Sequence, residues 1–189
     1  MSHLMPTIHL STPRRFDSNP PKQTYIIYFI TGNPGLIEYY RTFLTHLYGL
    51  LTSSTTNSNT SVHVFGRSLS GFETTTTIST LSQKNPPPYG LQEQIAHSES
   101  ALEDLNRKVS QEEGTSNVRI ILMGHSVGAY MLLEIIRRQR QKKDGMRIVG
   151  GICLFPTVTD IAKSDSGRKS SVRLPPKTPF LHPQQLLPS

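Results

Sequence analysis

Val118-Arg-Ile-Ile-Leu-Met-Gly-His-Ser-Val-Gly-Ala-Tyr-Met-Leu-Leu-Glu-Ile-Ile-Arg-Arg138 is the stretch that decides the fold. An apolar, β-prone run reaches Met123. Gly124-His125-Ser126-Val127-Gly128 interrupts it, and a second apolar run follows. Strand, sharp turn and helix around a G-x-S-x-G pentapeptide force the serine into a strained backbone conformation, with its hydroxyl raised above the sheet. Gly124 and Gly128 lack Cβ atoms, so strand and helix can close in around the turn. The helix start directs backbone N–H groups at the place where a negatively charged oxygen would form. Ser126 is the candidate nucleophile, and the Val127 N–H a candidate oxyanion donor.

Outward from this stretch the chain alternates strands and helices. Tyr25-Ile-Ile-Tyr-Phe-Ile-Thr31 is a continuous β-prone run of the kind buried on both faces of a parallel sheet. Leu36, Tyr40, Phe43, Leu44, Leu47, Tyr48 and Leu51 keep the spacing of one helical face. The Ser/Thr/Asn-rich stretch 52–61 predicts a loop, and Val62-His-Val-Phe65 a short strand ending at Gly66. The stretch 74–89 predicts another loop. Leu91, Ile95, Ser98, Leu102, Leu105 and Val109 step as an amphipathic helix ending near Gly114. The helix after Ser126 is apolar nearly all round as far as Arg137, so its burial is expected to be extensive. Ile148 to Phe155 predicts a fourth strand, closed by Pro156. The order predicts an α/β architecture, a parallel sheet flanked by helices.

The 189 residues suffice for one domain with a real core. We expect an N-terminal extension over residues 1–24 and the α/β domain over 25–167. Residues 168–189, with five prolines and no periodicity, predict an irregular tail. No apolar run reaches eighteen residues, and the first ten residues lack the pattern of a secretory signal. The lone Cys153 excludes an intramolecular disulfide, and its apolar setting predicts a buried thiol. The net charge of +7 is local, concentrated in Arg137, Arg138, Arg140, Lys142, Lys143 and Arg147. It reads as the solvated end of a helix, ahead of an anionic membrane surface. No aromatic residues interleave with these charges, so nucleic acid is not an expected partner.

The second chemical feature is Gly32-Asn33-Pro34-Gly35, directly after the first strand. Pro34 has no N–H, so Asn33 is the better oxyanion donor of that loop. Gly32-Asn-Pro-Gly-Leu-Ile-Glu-Tyr-Tyr40 closely resembles the lipid droplet-associated hydrolase family of α/β-hydrolases. So do Tyr89-Gly-Leu-Gln-Glu-Gln-Ile-Ala-His97, the elbow itself, and Leu154-Phe-Pro-Thr157 with Ile161-Ala-Lys-Ser164. The resemblance runs from about residue 25 to Gly167. It implies a serine hydrolase acting on carboxylic esters of neutral lipids, at the cytosolic face of lipid droplets and endoplasmic reticulum. It assigns the nucleophile to Ser126. Thr31 stands where related hydrolases often carry histidine, which matches this family's own pattern.

The triad order in this fold is Ser, then Asp or Glu, then His. The family's last strands, its catalytic acid and its histidine are expected to be missing from this chain, as in a C-terminally truncated member. Asp160 or Asp165 followed by His182 satisfies the order. However, the sequence between them predicts no strand or helix to fix an imidazole beside Ser126, so these are expected to be tail residues. His125 reads as packed within the elbow. His46 and His97 lie on helices and His63 on a strand, none with metal-ligand spacing, so no metal or cofactor is expected. The alternative function is that of a non-catalytic lipid-droplet-binding protein, or an inactive truncated product.

Overall fold

The computed structural model describes residues 6–12, 23–54, 60–72 and 89–157. Five strands, β1 (Thr7–Ser11), β2 (Gln23–Ile30), β3 (Thr60–Arg67), β4 (Val118–His125) and β5 (Ile148–Leu154), form one sheet in the order β1-β3-β2-β4-β5. From β3 to β5 the pairing is parallel, while β1 runs antiparallel on the outside of β3. A 3-10 turn (Ile37–Tyr40) and helix α1 (Arg41–Ser54) join β2 to β3. Helix α2 (Leu91–Glu113) precedes β4, and α3 (Val127–Gln141) leads from β4 to β5.

The side-chain period of two in β2 divides the core. Ile26, Tyr28 and Ile30 face α2 and α3 through Ile95, Leu102, Met131, Leu132 and Ile135. Ile27 and Phe29 face the opposite way, with Val62, Val64, Ile37 and Leu44 of the α1 layer. Helices therefore cover both faces, which is why β2 and β4 read as continuous apolar runs. Tyr28 is fully buried, and its hydroxyl donates to the Ser98 carbonyl at 3.1 Å. Burial holds its pKa above the ordinary phenolic value.

The helix ends follow local chemistry. The Gly90 N–H donates to Glu93 Oε2 at 2.7 Å at the start of α2. Gly114, at φ 63°, closes its end in the left-handed conformation that glycine favours. The basic cluster behaves as a solvated, ion-paired helix end. Arg137 and Arg138 hydrogen-bond Glu134 and hold its carboxyl down at about 2. Lys142 reaches Glu99 at 3.0 Å and Glu103 at 2.7 Å, clasping α3 to α2.

Three expectations are corrected. Residues 7–11, placed in an N-terminal extension, are the edge strand β1, with Ile8 in the core. His9 Nε2 meets His63 Nδ1 at 3.2 Å, and His63 Nε2 meets the buried Glu113 at 3.0 Å. Helix α3 buries only Gly128, Ala129, Met131, Leu132, Ile135 and Gln139, because its Leu133 side points to solvent. Cys153 is exposed: β5 is the outer strand on that side among the described residues, and its Val149, Ile152 and Cys153 are not covered by them. The loop expected over 74–88 and the tail over 168–189 lie outside the described residues.

Candidate active site

Strand β4 delivers Gly124 and His125 to the carboxyl edge of the sheet, and α3 begins at Val127. Between them Ser126 adopts φ 53° and ψ −119°. For an L-residue this conformation costs about 1–3 kcal/mol, so the surroundings must impose it. They do so through backbone contact. A Cβ on Gly124 would lie 2.3 Å from the Gly128 carbonyl oxygen, and one on Gly128 would lie 2.4 Å from that of Ile30. Strand β2, the elbow and the first turn of α3 therefore touch backbone to backbone.

The loop after β2 closes the other side. The Gly35 N–H donates to the Gly32 carbonyl at 2.8 Å, with Gly35 at φ 85° and the Asn33–Pro34 peptide cis. A Cβ on Gly32 would sit 3.0 Å from Ser126 Cβ, so this loop rests directly on the candidate nucleophile. Asn33 is the next residue and is exposed. Val127 is the first residue of α3, where backbone N–H groups have no intrahelical acceptor. The structure thus brings Ser126, Val127 and the Asn33 loop to one place at the sheet edge. Ile30 pairs with Gly124 in the β2–β4 ladder, which sets the two loops level.

Several hydrogen bonds fasten the elbow. The Ser126 N–H donates to the Leu154 carbonyl at 3.0 Å, and the Thr157 N–H donates to the Ser126 carbonyl at 3.2 Å. Ser126 Oγ lies 3.2 Å from Thr157 Oγ1, a neutral hydroxyl that cannot take its proton at neutral pH. His125 is engaged with Tyr40, whose hydroxyl lies 2.9 Å from Nδ1. Thr31 is fully buried, and its hydroxyl has no hydrogen-bond partner among the described residues. Asp160, Asp165 and His182, the residues that satisfy the triad order, lie outside the described residues.

Beside the site, Tyr28, Ile30, Ser68, Ser70, Gln94 and Ser98 line a cavity of about 10 Å³. That is room for one water and far too little for an acyl chain. Gln94, in its wall, accepts from the Ser70 N–H at 3.0 Å and donates to the Ser70 carbonyl at 2.7 Å. The sequence reading missed Tyr40 and Thr157 as members of the site. Tyr40 is spaced as a helix-face hydrophobe, and Thr157 follows a strand end. Their one signal is that both lie in the stretches that carry the family resemblance.

Helices on both faces of a parallel sheet, with a glycine-flanked serine elbow facing the loop of the neighbouring strand, define an α/β-hydrolase type of fold. The chain belongs to the lipid-droplet associated hydrolase family, whose profile matches residues 23–182. A lipid droplet-associated hydrolase of Gallus gallus is 31% identical over 152 residues, covering 79% of this chain and 41% of the relative. One from Mus musculus is 30% identical over 174 residues, covering 87% and 45%. The Homo sapiens protein is 28% identical over 158 residues, covering 80% and 43%. The chain thus spans less than half the length of these relatives. Among solved structures, a hydrolase from Agrobacterium vitis S4 is similar at a TM-score of 0.49 and 13% identity, covering 88% of this chain and 60% of that one. The siderophore hydrolase EstB of Aspergillus fumigatus is similar at 0.43 and 18%, covering 78% and 38%. Among the described residues, no helix is long and apolar enough to cross a membrane.

Proposed function

We propose that this chain carries the nucleophile elbow and oxyanion loop of a serine hydrolase that cleaves carboxylic esters of neutral lipids. Its place of action is the lipid droplet surface, in keeping with the names of the relatives, and the cytosolic face of the endoplasmic reticulum. The observation that carries the reading is Ser126 at φ 53°, held between β4 and α3 with the Gly32 loop against its Cβ. The base takes the Ser126 hydroxyl proton as Oγ attacks the ester carbonyl. The resulting oxyanion accepts hydrogen bonds from the N–H groups of Asn33 and Val127. The alcohol leaves with a proton from the base, and water then attacks the acyl-enzyme and releases the acid. Base and acid are a histidine and a carboxylate outside the described residues, following the Ser, acid, His order of the fold. Without them Ser126 keeps an alcohol-like pKa and only a residual rate remains.

The test is time-resolved labelling of the 189-residue chain with a fluorophosphonate, wild type beside Ser126→Ala and His182→Ala. We expect slow labelling that maps to Ser126, vanishes in Ser126→Ala and is unchanged in His182→Ala. Labelling spread over surface serines, equal in Ser126→Ala, defeats the nucleophile assignment. Rapid labelling lost in both variants makes His182 the base. The neutral Thr157 hydroxyl against Ser126 Oγ favours the second reading, a non-catalytic droplet-binding protein. That reading requires droplet association without any Ser126-dependent labelling.

A further inference from the structure

We propose that Tyr40 is a positioning residue whose hydroxyl ties the oxyanion loop to the nucleophile elbow. This inference rests on the hydrolase reading above and deepens it. The Tyr40 oxygen accepts the Gly32 N–H at 3.3 Å and lies 2.9 Å from His125 Nδ1. Among the described residues the Tyr40 hydroxyl proton has no acceptor other than His125 Nδ1, so we assign it there, with the ring proton of His125 on Nε2. The two residues joined in this way are the immediate neighbours of Asn33 and Ser126. One hydroxyl therefore bridges two loops that are more than eighty residues apart in the chain, with Tyr40 and His125 separated by 85 positions.

The bridge lies beyond the end of the strand ladder. The ladder sets Ile30 level with Gly124, but the pairing stops there, and the loops that follow must be fixed by other bonds. The Tyr40 ring is held independently of its hydroxyl. Its centroid is 4.7 Å from that of Phe29 and 5.6 Å from that of His125. The hydroxyl oxygen is thus presented from a braced ring between Gly32 and His125. Gly32 must also lack a side chain for the bridge to form, since a Cβ there would lie 2.7 Å from His125 Nδ1. An oxyanion donor acts only when it is within hydrogen-bond distance of the developing charge, and small displacements are costly. Tyr40 sets the position of the Asn33 N–H in this way without touching substrate.

Tyr40→Phe removes the oxygen and keeps the ring, so the tilted ring contacts with Phe29 and His125 survive. Two readouts test the role in the full 189-residue chain. The first is the ¹⁵N spectrum of the His125 ring. In wild type we expect the Nε2–H tautomer, and in Tyr40→Phe a mixture of both. The second is fluorophosphonate labelling of Ser126 over a range of probe concentrations. Loss of a whole oxyanion donor costs about a hundredfold or more, so loosening one is expected to lower the saturating rate about tenfold. The half-saturating concentration should stay within about twofold, because binding before the bond forms does not use the oxyanion hole. A His125 ring spectrum that is the same in wild type and Tyr40→Phe overturns the bridge. Equal saturating rates in wild type and Tyr40→Phe overturn the positioning role while leaving Ser126 as nucleophile. If wild type and Ser126→Ala label alike, the hydrolase reading itself fails and the positioning role falls with it.

Discussion

Gly128→Ala tests whether the site depends on backbone contact. The added Cβ would lie 2.4 Å from the Ile30 carbonyl oxygen and 2.7 Å from that of Thr31. Both distances fall short of ordinary carbon–oxygen contact, the closer one by roughly 1 Å. Neither obstacle is a side chain that can rotate away. The Ile30 carbonyl belongs to a strand paired on both sides, with Arg67 and Gly124. Strand and helix must therefore separate. Overpacking of this kind costs about 1–3 kcal/mol, and a backbone obstacle belongs at the upper end. Alanine's better helix propensity returns up to about 1 kcal/mol, which leaves a net loss of about 2 kcal/mol. For a chain of this size each kcal/mol moves the melting temperature by about 2–4 °C, so a drop of about 4–8 °C is expected. Gly49→Ala is the control: it lies within α1, and a Cβ there meets nothing within 4 Å. It should raise the melting temperature by about 2 °C through propensity alone. Thermal unfolding followed by circular dichroism measures both. A Gly128→Ala protein that melts with wild type, beside a stabilised Gly49→Ala, would refute the claim that bare backbone contact holds the elbow.

Two further outcomes follow from the edges of the sheet. Burial first, then the charges of His63 and Lys108, hold the His9 imidazole below its ordinary 6.5, against the opposite pull of Glu112. A base with a lowered folded pKa binds fewer protons folded than unfolded. Its contribution is therefore fully present above about pH 6.5 and is lost as pH falls through the folded value. Wild type should lose more stability than His9→Gln between pH 7.5 and 5.5 on thermal melting, and parallel losses would contradict the linkage. At the other edge, the exposed Cys153 thiol should react with a disulfide reagent in the native protein as fast as it does in denaturant. A native rate that is slower by about tenfold or more would mean that the thiol is shielded in solution.

Much of this fold is legible because apolar periodicity reports burial directly. Strands β2 and β4 are covered on both faces and read as unbroken apolar runs. Helix α2 has one buried face and reads as a stepped series ending at Gly114. The elbow is legible because its glycines and serine are adjacent in sequence. What escapes the sequence depends on partners far along the chain. Thr7-Ile-His-Leu-Ser11 is too short and polar to declare itself a strand; its partner, Ser11↔His63 through Thr7↔Arg67, lies some fifty residues on. Cys153 sits in an apolar run, yet only the position of β5 at the sheet edge decides its exposure. Tyr40 fits its apolar helical spacing, and nothing local shows that its hydroxyl meets an imidazole from β4. In each case the deciding fact is which strand lies beside which.

The β2–β4 pairing also has a consequence in time. β2 does not pair only with the next strand along the chain: its partner on the site side is β4, which follows after α1, β3 and α2. Parallel neighbours of such separation close a long loop before any contact rewards them, and they form slowly. During synthesis β2 and β3 can pair early, since β3 is the nearer partner. The Gly32 loop then waits for the segment beyond Val118 before it has an elbow to rest on. The strained backbone of Ser126 depends on that contact, because the carbonyls of Ile30 and Thr31 that crowd Gly128 are presented by β2 and the loop after it. The site therefore needs contacts of high sequence separation to exist at all. A chain in which β2 and β3 were paired but β4 was not would carry the serine without its constrained geometry.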